Sequence, residues 1–251
     1  MLIPRLIVMA VLAGATLGSP LHADVFELRT YTTNEGKLDA LNARFRDHTV
    51  ELFRRHGIES VAYWTPTDEE RSQDTLIYVL RHKSPDTAKA SWKAFFADAE
   101  WKKVAKESQR DGRILAKAPE SVYMETTDYS PNFDPDGSSG DIVFELRTYR
   151  TPEGRRDDLD TRFRDHTVEL FTKHGMQSVA YWHPIAGNDA EDTLIYVLRH
   201  QSREAAKASW KSFVGDPAWQ DAFKKSRANG PLLRESPESV YMRATDYSAI
   251  K

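Results

Sequence analysis

The chain has 251 residues, with 35 basic against 38 acidic side chains, a net charge of −3, and no cysteine. So even a balance gives no electrostatic footprint for nucleic acid or an anionic membrane surface. Without cysteine there can be no disulfide, thiolate catalysis, zinc ribbon or lipidated N-terminal cysteine.

In chain order, the first segment differs from the rest. MLIPR carries one positive charge, LIVMAVLAGATLG is a short apolar run, and SPLHA ends in a small residue before Asp24. The run is too short to span a bilayer and fits a secretory signal, with cleavage expected after Ala23. An uncleaved N-terminal anchor is the alternative. A cleaved, cysteine-free chain without further membrane attachment suits a periplasmic or secreted location.

After Asp24, VFELRTYT alternates: Phe26, Leu28 and Thr30 face one way, Glu27, Arg29 and Tyr31 the other, the pattern of a strand. NEGKLDALNARFRDHTVELFRRHG has helical period and stops at Gly57. IESVAYWT is a second strand. DTLIYVLRH is a third, apolar on both faces and so expected at the centre of a sheet. SPDTAKASWKAFFAD opens with a capping Ser84-Pro85-Asp86 and reads as a helix. AEWKKVAKESQRDG is a further helical segment, and SVYMETTDY the last strand.

The whole series then recurs. At an offset of 118, VFELRTY returns at Val143–Tyr149, RFRDHTVELF at Arg162–Phe171, SVAYW at Ser178–Trp182, DTLIYVLRH at Asp192–His200 and PESVYM at Pro237–Met242. The offset holds even through the dissimilar loops TPTDEERSQ and HPIAGNDAE. The chain therefore divides into a signal (1–23), a first unit (24–130), a Pro/Gly/Ser/Asp linker (131–140) and a second unit (141–251).

Each unit reads β-α-β-β-α-β, the ferredoxin-like arrangement: an α+β fold with both helices on one face of an antiparallel sheet. The uncovered face needs a partner, and the second copy is the natural one. The expected architecture is two tandem units packed as an intramolecular dimeric α/β barrel, a pseudo-dimer within one chain. Further association of whole chains is left open.

The ELRTY strand, the helix closing in HG, the VAYW and DTLIYVLRH strands and the D-x-x-W of DAEWKK and DPAWQD resemble the NIPSNAP family. Both units carry the resemblance. It implies the dimeric α/β barrel superfamily, which includes cofactor-free monooxygenases and haem-binding proteins. Eukaryotic relatives are mitochondrial, whereas this chain pairs two copies with a secretory signal, so mitochondrial roles are not carried over.

No Gly-rich nucleotide loop, H-E-x-x-H or G-x-S-x-G is present, and no nucleophile–base pair is visible. Six of the eight histidines fall at three repeated positions: His48/His166, His56/His174 and His82/His200. On an ideal helical wheel His48 sits within the apolar stripe of Leu41, Phe45 and Leu52 and faces the sheet. There it would be either a core histidine or the lining of a pocket between helix and sheet. His56, at the helix end, is expected to interact with free carbonyls, and His82 to be structural. Glu27, Arg29 and Tyr31, with Glu145, Arg147 and Tyr149, are expected to point into the space between the two sheets. There they would form either a paired network or a polar patch at a barrel mouth. Trp64 and Trp182 add aromatic surface.

The candidate ligand-binding set is therefore His48, Trp64, Tyr31, Arg29, His166, Trp182, Tyr149 and Arg147, for a small, partly apolar molecule between helix and sheet of each unit. No metal and no cofactor are required, haem on the repeated histidines being the alternative. An enzyme of the monooxygenase kind and a partner-binding module without ligand are the rival functions.

Overall fold

The computed structural model describes residues 24–132 and 141–251. The proposed signal segment and most of the linker lie outside the described residues. The first unit comprises β1 (Val25–Thr32), α1 (Leu38–Arg44), a π-helical turn (Phe45–Thr49), α2 (Val50–Arg55), β2 (Glu59–Pro66), β3 (Thr75–His82), α3 (Pro85–Ala97), α4 (Ala99–Glu107) and β4 (Glu120–Thr126). The second repeats the series as β5 (Val143–Arg150), α5 (Arg156–Arg162), a π turn (Phe163–Thr167), α6 (Val168–Lys173), β6 (Gln177–Pro184), β7 (Thr193–His200), α7 (Arg203–Gly215), α8 (Pro217–Ser226) and β8 (Glu238–Ala244). A 3₁₀ turn, Ala190–Asp192, precedes β7.

Local signals place these elements. Ser84 Oγ accepts from the Thr87 amide at 3.1 Å and Pro85 opens α3, the expected cap. The D-x-x-W is a cap as well: Asp98 accepts from the Glu100 and Trp101 amides at 2.7 and 3.1 Å to start α4. Gly57, at φ 71°, ends α2 in the left-handed region that glycine enters without strain.

The eight strands close into one antiparallel barrel in the order β1-β3-β2-β8-β5-β7-β6-β4. Within each unit β3 or β7 is central, as its two apolar faces require. Between units, β2 pairs β8 (Trp64 opposite Ala244) and β4 pairs β6 (Thr126 opposite Trp182). Among the described residues no edge strand is left unpaired, which removes the exposed backbone that invites aggregation.

Three cores result. Inside the barrel lie Phe26, Leu28, Trp64, Ile77, Val79 and Met124 with their counterparts. Trp64 packs on Phe144 of the second unit at 5.5 Å between ring centroids, and Trp182 on Phe26 at 5.7 Å. On the outer face Tyr31, Leu41, Phe45, Phe53, Tyr63, Tyr78 and Phe95 fill the space between helices and sheet, and the second unit does the same.

The last strand of each unit is shorter than SVYMETTDY suggests. It stops at Thr126, and T-D-Y-S (127–130, repeated at 245–248) crosses to the other unit. Tyr129 donates to Asp160 at 2.6 Å, Arg164 holds Asp128 at 2.7 Å, and Ser130 Oγ accepts from the Tyr181 amide at 3.0 Å. Reciprocally, Tyr247 donates to Asn42 at 2.7 Å, Arg46 holds Asp246 at 2.6 Å, and Ser248 accepts from the Tyr63 amide at 3.0 Å. Each unit thus completes the helix–sheet core of the other.

Candidate functional site

Alternation along β1 is as expected, but its two faces are exchanged. Phe26, Leu28 and Thr30 look into the barrel, and Glu27, Arg29 and Tyr31 look out toward the helices. The reason is the demand of a buried carboxylate for donors. Glu27 is fully buried and receives four. Arg29 Nη1 and Ser121 Oγ reach Oε1 at 2.5 and 2.6 Å, while Trp92 Nε1 and His82 Nε2 reach Oε2 at 2.8 and 3.0 Å. Trp92 stands on α3, so only the helix side can supply this set. The Arg29 guanidinium stacks on Trp92 at 4.5 Å and donates to Tyr31 at 3.3 Å.

Burial alone would raise the Glu27 pKa. The His82 hydrogen bond, the Arg29 charge and the Ser121 and Trp92 donors outweigh it and hold the group at about 2 against an ordinary 4.5. Glu145, with Arg147, Ser239, His200 and Trp210, repeats the cluster and is likewise lowered to about 2. An ionised carboxylate can only accept, so His82 and His200 present Nε2–H to it. Every oxygen of the two carboxylates is occupied, and the cluster has the character of a fastening.

The decamer R-F-R-D-H-T-V-E-L-F also departs from the helical wheel. The Val50 amide bonds to the Phe45 carbonyl, five residues back, and Thr49 Oγ1 donates to the Arg44 carbonyl at 3.0 Å. This π turn inserts one residue and rotates the following turn by about 100° relative to an α-helix. Thr49 takes the inward place and His48 is carried to the exposed surface, as is His166 behind Thr167. The expectation that both histidines face the sheet is thereby overturned. His48 and His166 instead border grooves of about 270 and 260 Å³ beside α4 and α8, together with Asp47 and Glu107, or Asp158 and Lys225. Such open, charged grooves do not fit haem, which needs apolar enclosure.

His56, expected among helix carbonyls, reaches across to Asp98 at 2.8 Å, and His174 to Asp216 at the same distance. Trp64 and Trp182 are buried within the barrel. Among the described residues no group of three or more His, Asp or Glu side chains could hold a metal ion, and no helix is long and apolar enough to cross a membrane.

What composition alone did not indicate is a cavity of about 580 Å³ at one barrel mouth. Its floor is Leu28, Ile77 and Val122 with Leu146, Ile195 and Val240; its wall is Thr30, Thr75, Thr148 and Thr193. β1 and β5 run in the same direction around the barrel, so equivalent residues of both units meet here across the pseudo-twofold axis. The dissimilar loops supply its rim: Glu70 and Arg71 from one, Ala186, Gly187 and Asp189 from the other. Around the rim Lys117 pairs with Glu120, and Arg150 with Glu238 at 2.6 Å. None of the eight sequence-chosen residues lines this cavity. The signal that could have found it was the contrast between near-identical strands and two divergent loops that follow the same strand in each unit.

Known proteins place this geometry. The NIPSNAP family model matches residues 26–131 and again 144–249. A comparison with curated proteins finds no match. Among solved structures, a candidate monooxygenase of Lactobacillus acidophilus superposes with a TM-score of 0.57 at 9% identity, covering 88% of this chain and 94% of its own. One of Fusobacterium nucleatum superposes at 0.57 with 6% identity, covering 88% of this chain and 92% of its own. An anthrone oxidase-like protein gives 0.53 at 15% identity, covering 90% and 93%. At these identities the likeness is one of fold, an eight-stranded barrel made of two similar halves. With both repeats matched over most of their length, the chain belongs to the NIPSNAP family and carries its domain twice, in tandem.

Proposed function

We propose that this chain binds one small, partly apolar molecule in the barrel mouth, on the axis relating the two units. The supporting observation is the cavity itself: about 580 Å³, with an aliphatic floor, a threonine wall and a charged rim. That size and lining are typical of small-molecule sites. The floor would take the apolar body, and the hydroxyls would pair with a few polar atoms without demanding a charge. The space between helix and sheet, favoured from sequence, is already filled by the aromatic side chains of each outer core.

Binding is preferred to turnover because the lining offers threonine hydroxyls and rim carboxylates but no histidine or cysteine. The likeness to monooxygenase-type barrels supports the container and leaves the chemistry open. An exported setting belongs to the same proposal, and the intact mass of the mature chain tests it, with Asp24 as the expected first residue.

The site is tested by native mass spectrometry of protein from its own host and by titration with the neutral dye Nile red. Val122→Trp, which fills the floor, should abolish both the co-purifying mass and the dye fluorescence while circular dichroism is unchanged. Dye binding that survives the substitution, with no adduct mass in the parent protein, would overturn the proposal.

A further inference from the structure

The second unit holds a buried cation without an anion. Arg162, at the end of α5, is 4% exposed. Its Nε has no hydrogen-bond partner among the described residues, and Nη1 makes only a long contact, 3.4 Å, to Ser226 Oγ. No carboxylate of the described residues pairs with it. The guanidinium lies 5.1 Å from the Trp219 ring and 5.8 Å from that of Phe223. Burial pulls its pKa below the ordinary value, outweighing the opposite influence of Tyr149 and Tyr196, and Arg227 adds a smaller push in the same direction as burial. A buried charge left in this condition is costly unless something pairs with it.

Arg162 borders a cavity of about 440 Å³ shared with Trp219, Phe223, Arg227, Leu233 and Tyr149. Arg227 stands 4.8 Å over Phe223 at the outer side. Glu235, the acid on the cavity edge, is engaged elsewhere, by Arg150 at 3.2 Å. Two guanidinium groups therefore meet an aromatic and aliphatic wall, and among the described residues neither is paired with a carboxylate. The first unit keeps a buried arginine that is equally unpaired among the described residues, with a partnerless Nε and only a 3.5 Å contact to Ser108 Oγ, but it does not keep the aromatic and cationic wall. Arg44 is 6% exposed and lies 5.4 Å from Trp101. Ala105 stands where the second unit has Phe223, Gln109 where it has Arg227, and Glu107 borders the groove at Arg44 where it has Lys225.

We infer that the second unit carries a binding site for an aromatic carboxylate, anchored by Arg162 and closed by Trp219, Phe223 and Arg227, which the first unit lacks. The carboxylate would take the fork geometry a guanidinium offers, and the ring would lie against the indole and phenyl faces. This site is separate from the barrel mouth and does not depend on a ligand there.

Calorimetric titration of the full chain with 2-naphthoate tests it, with neutral 2-naphthalenemethanol as the comparison. Saturable binding of one naphthoate is expected, about tenfold tighter than the alcohol. Arg162→Gln should weaken it about tenfold or more, and Arg44→Gln should leave it unchanged. The pair Phe223→Ala with Arg227→Gln, which gives the wall the first unit's residues, should also weaken it about tenfold, and it keeps the test alive if Arg162→Gln does not fold. Val122→Trp should have no effect. The inference is overturned by the absence of saturable binding, by equal affinity for the alcohol, or by equal loss in Arg44→Gln. Loss in Val122→Trp, or no loss in the Phe223/Arg227 pair, would overturn it as well.

Discussion

The two faces of the β1–β3 sheet solve opposite problems. Outside, under the helices, lies a carboxylate–guanidinium pair whose oxygens are all taken, at nearly the same distances in both units. Inside, the same strands carry aliphatic side chains and threonines that leave a cavity at one mouth. Charge alone is thus a poor guide to a ligand site in this molecule. The carboxylates of the repeated E-L-R-T-Y motif have both oxygens satisfied, and the open space lies behind aliphatic residues and threonines. The contrast teaches that satisfaction distinguishes a fastening from a receptor: where both carboxylate oxygens already have their donors, no acceptor of that group remains to recognise a guest.

The largest effect should come from separating the inner faces. A chain of residues 24–132 alone would expose Phe26, Leu28, Trp64, Ile77 and Val79 and leave the β2 and β4 edges unpaired. It would also lose the crossing T-D-Y-S contacts from its partner. Such a half should associate into a symmetric dimer that rebuilds the β2–β8 and β4–β6 pairings between copies, or else aggregate. Light scattering at micromolar concentration decides, and a stable monomer would show that the outer core suffices to fold a unit.

Next come the fastenings. Glu27→Ala leaves Arg29 buried without its partner and should cost about 3–5 kcal/mol in urea unfolding; Glu145→Ala should cost a similar amount. Acid probes the same groups without mutation. Their folded pKa values, about 2, lie below the ordinary 4.5, so their contribution is complete above about pH 4.5 and is lost as pH falls toward 2. Stability measured across that window should drop steeply in the parent and less so in a Glu27→Gln, Glu145→Gln double variant. Parallel curves would mean that other carboxylates dominate acid unfolding.

Much of this architecture was legible. The repeat, the order of elements, the central strand and the Ser84 cap follow from periodicity and turn chemistry, and barrel closure follows from a strand apolar on both sides. Three things were not legible, for physical reasons. Alternation separates Glu27 from Leu28 but does not say which side the helices cover; that depends on the indole of Trp92, a residue 65 positions away. The π turn has no composition of its own, so a wheel drawn at 100° per residue misplaces everything beyond it. The cavity depends on how two strand ends and two loops from different units meet, a relation between residues far apart in sequence.

The repeated histidines yield the smallest expected effect and sharpen the same comparison from its outer edge. If position 48 lay in the core, replacing imidazole with methyl would open a cavity or strand a polar partner and would cost measurably. In the structure the inward place belongs to Thr49, whose hydroxyl satisfies the Arg44 carbonyl, while His48 meets solvent beside α4. The double variant His48→Ala, His166→Ala should therefore stay within about 0.5 kcal/mol of the parent in urea unfolding, and Nile red binding should be unchanged. Thr49→Val keeps the shape but removes the donor, and should cost about 1 kcal/mol or more. If instead the histidine pair proves costly and Thr49→Val is silent, the helix keeps an α register in solution and His48 returns to the sheet side. The decamer would then be a candidate for ligand contact again, where now its identity in both units is accounted for by Phe45, Thr49, Leu52 and Phe53 packing inward and Arg46 reaching the other unit.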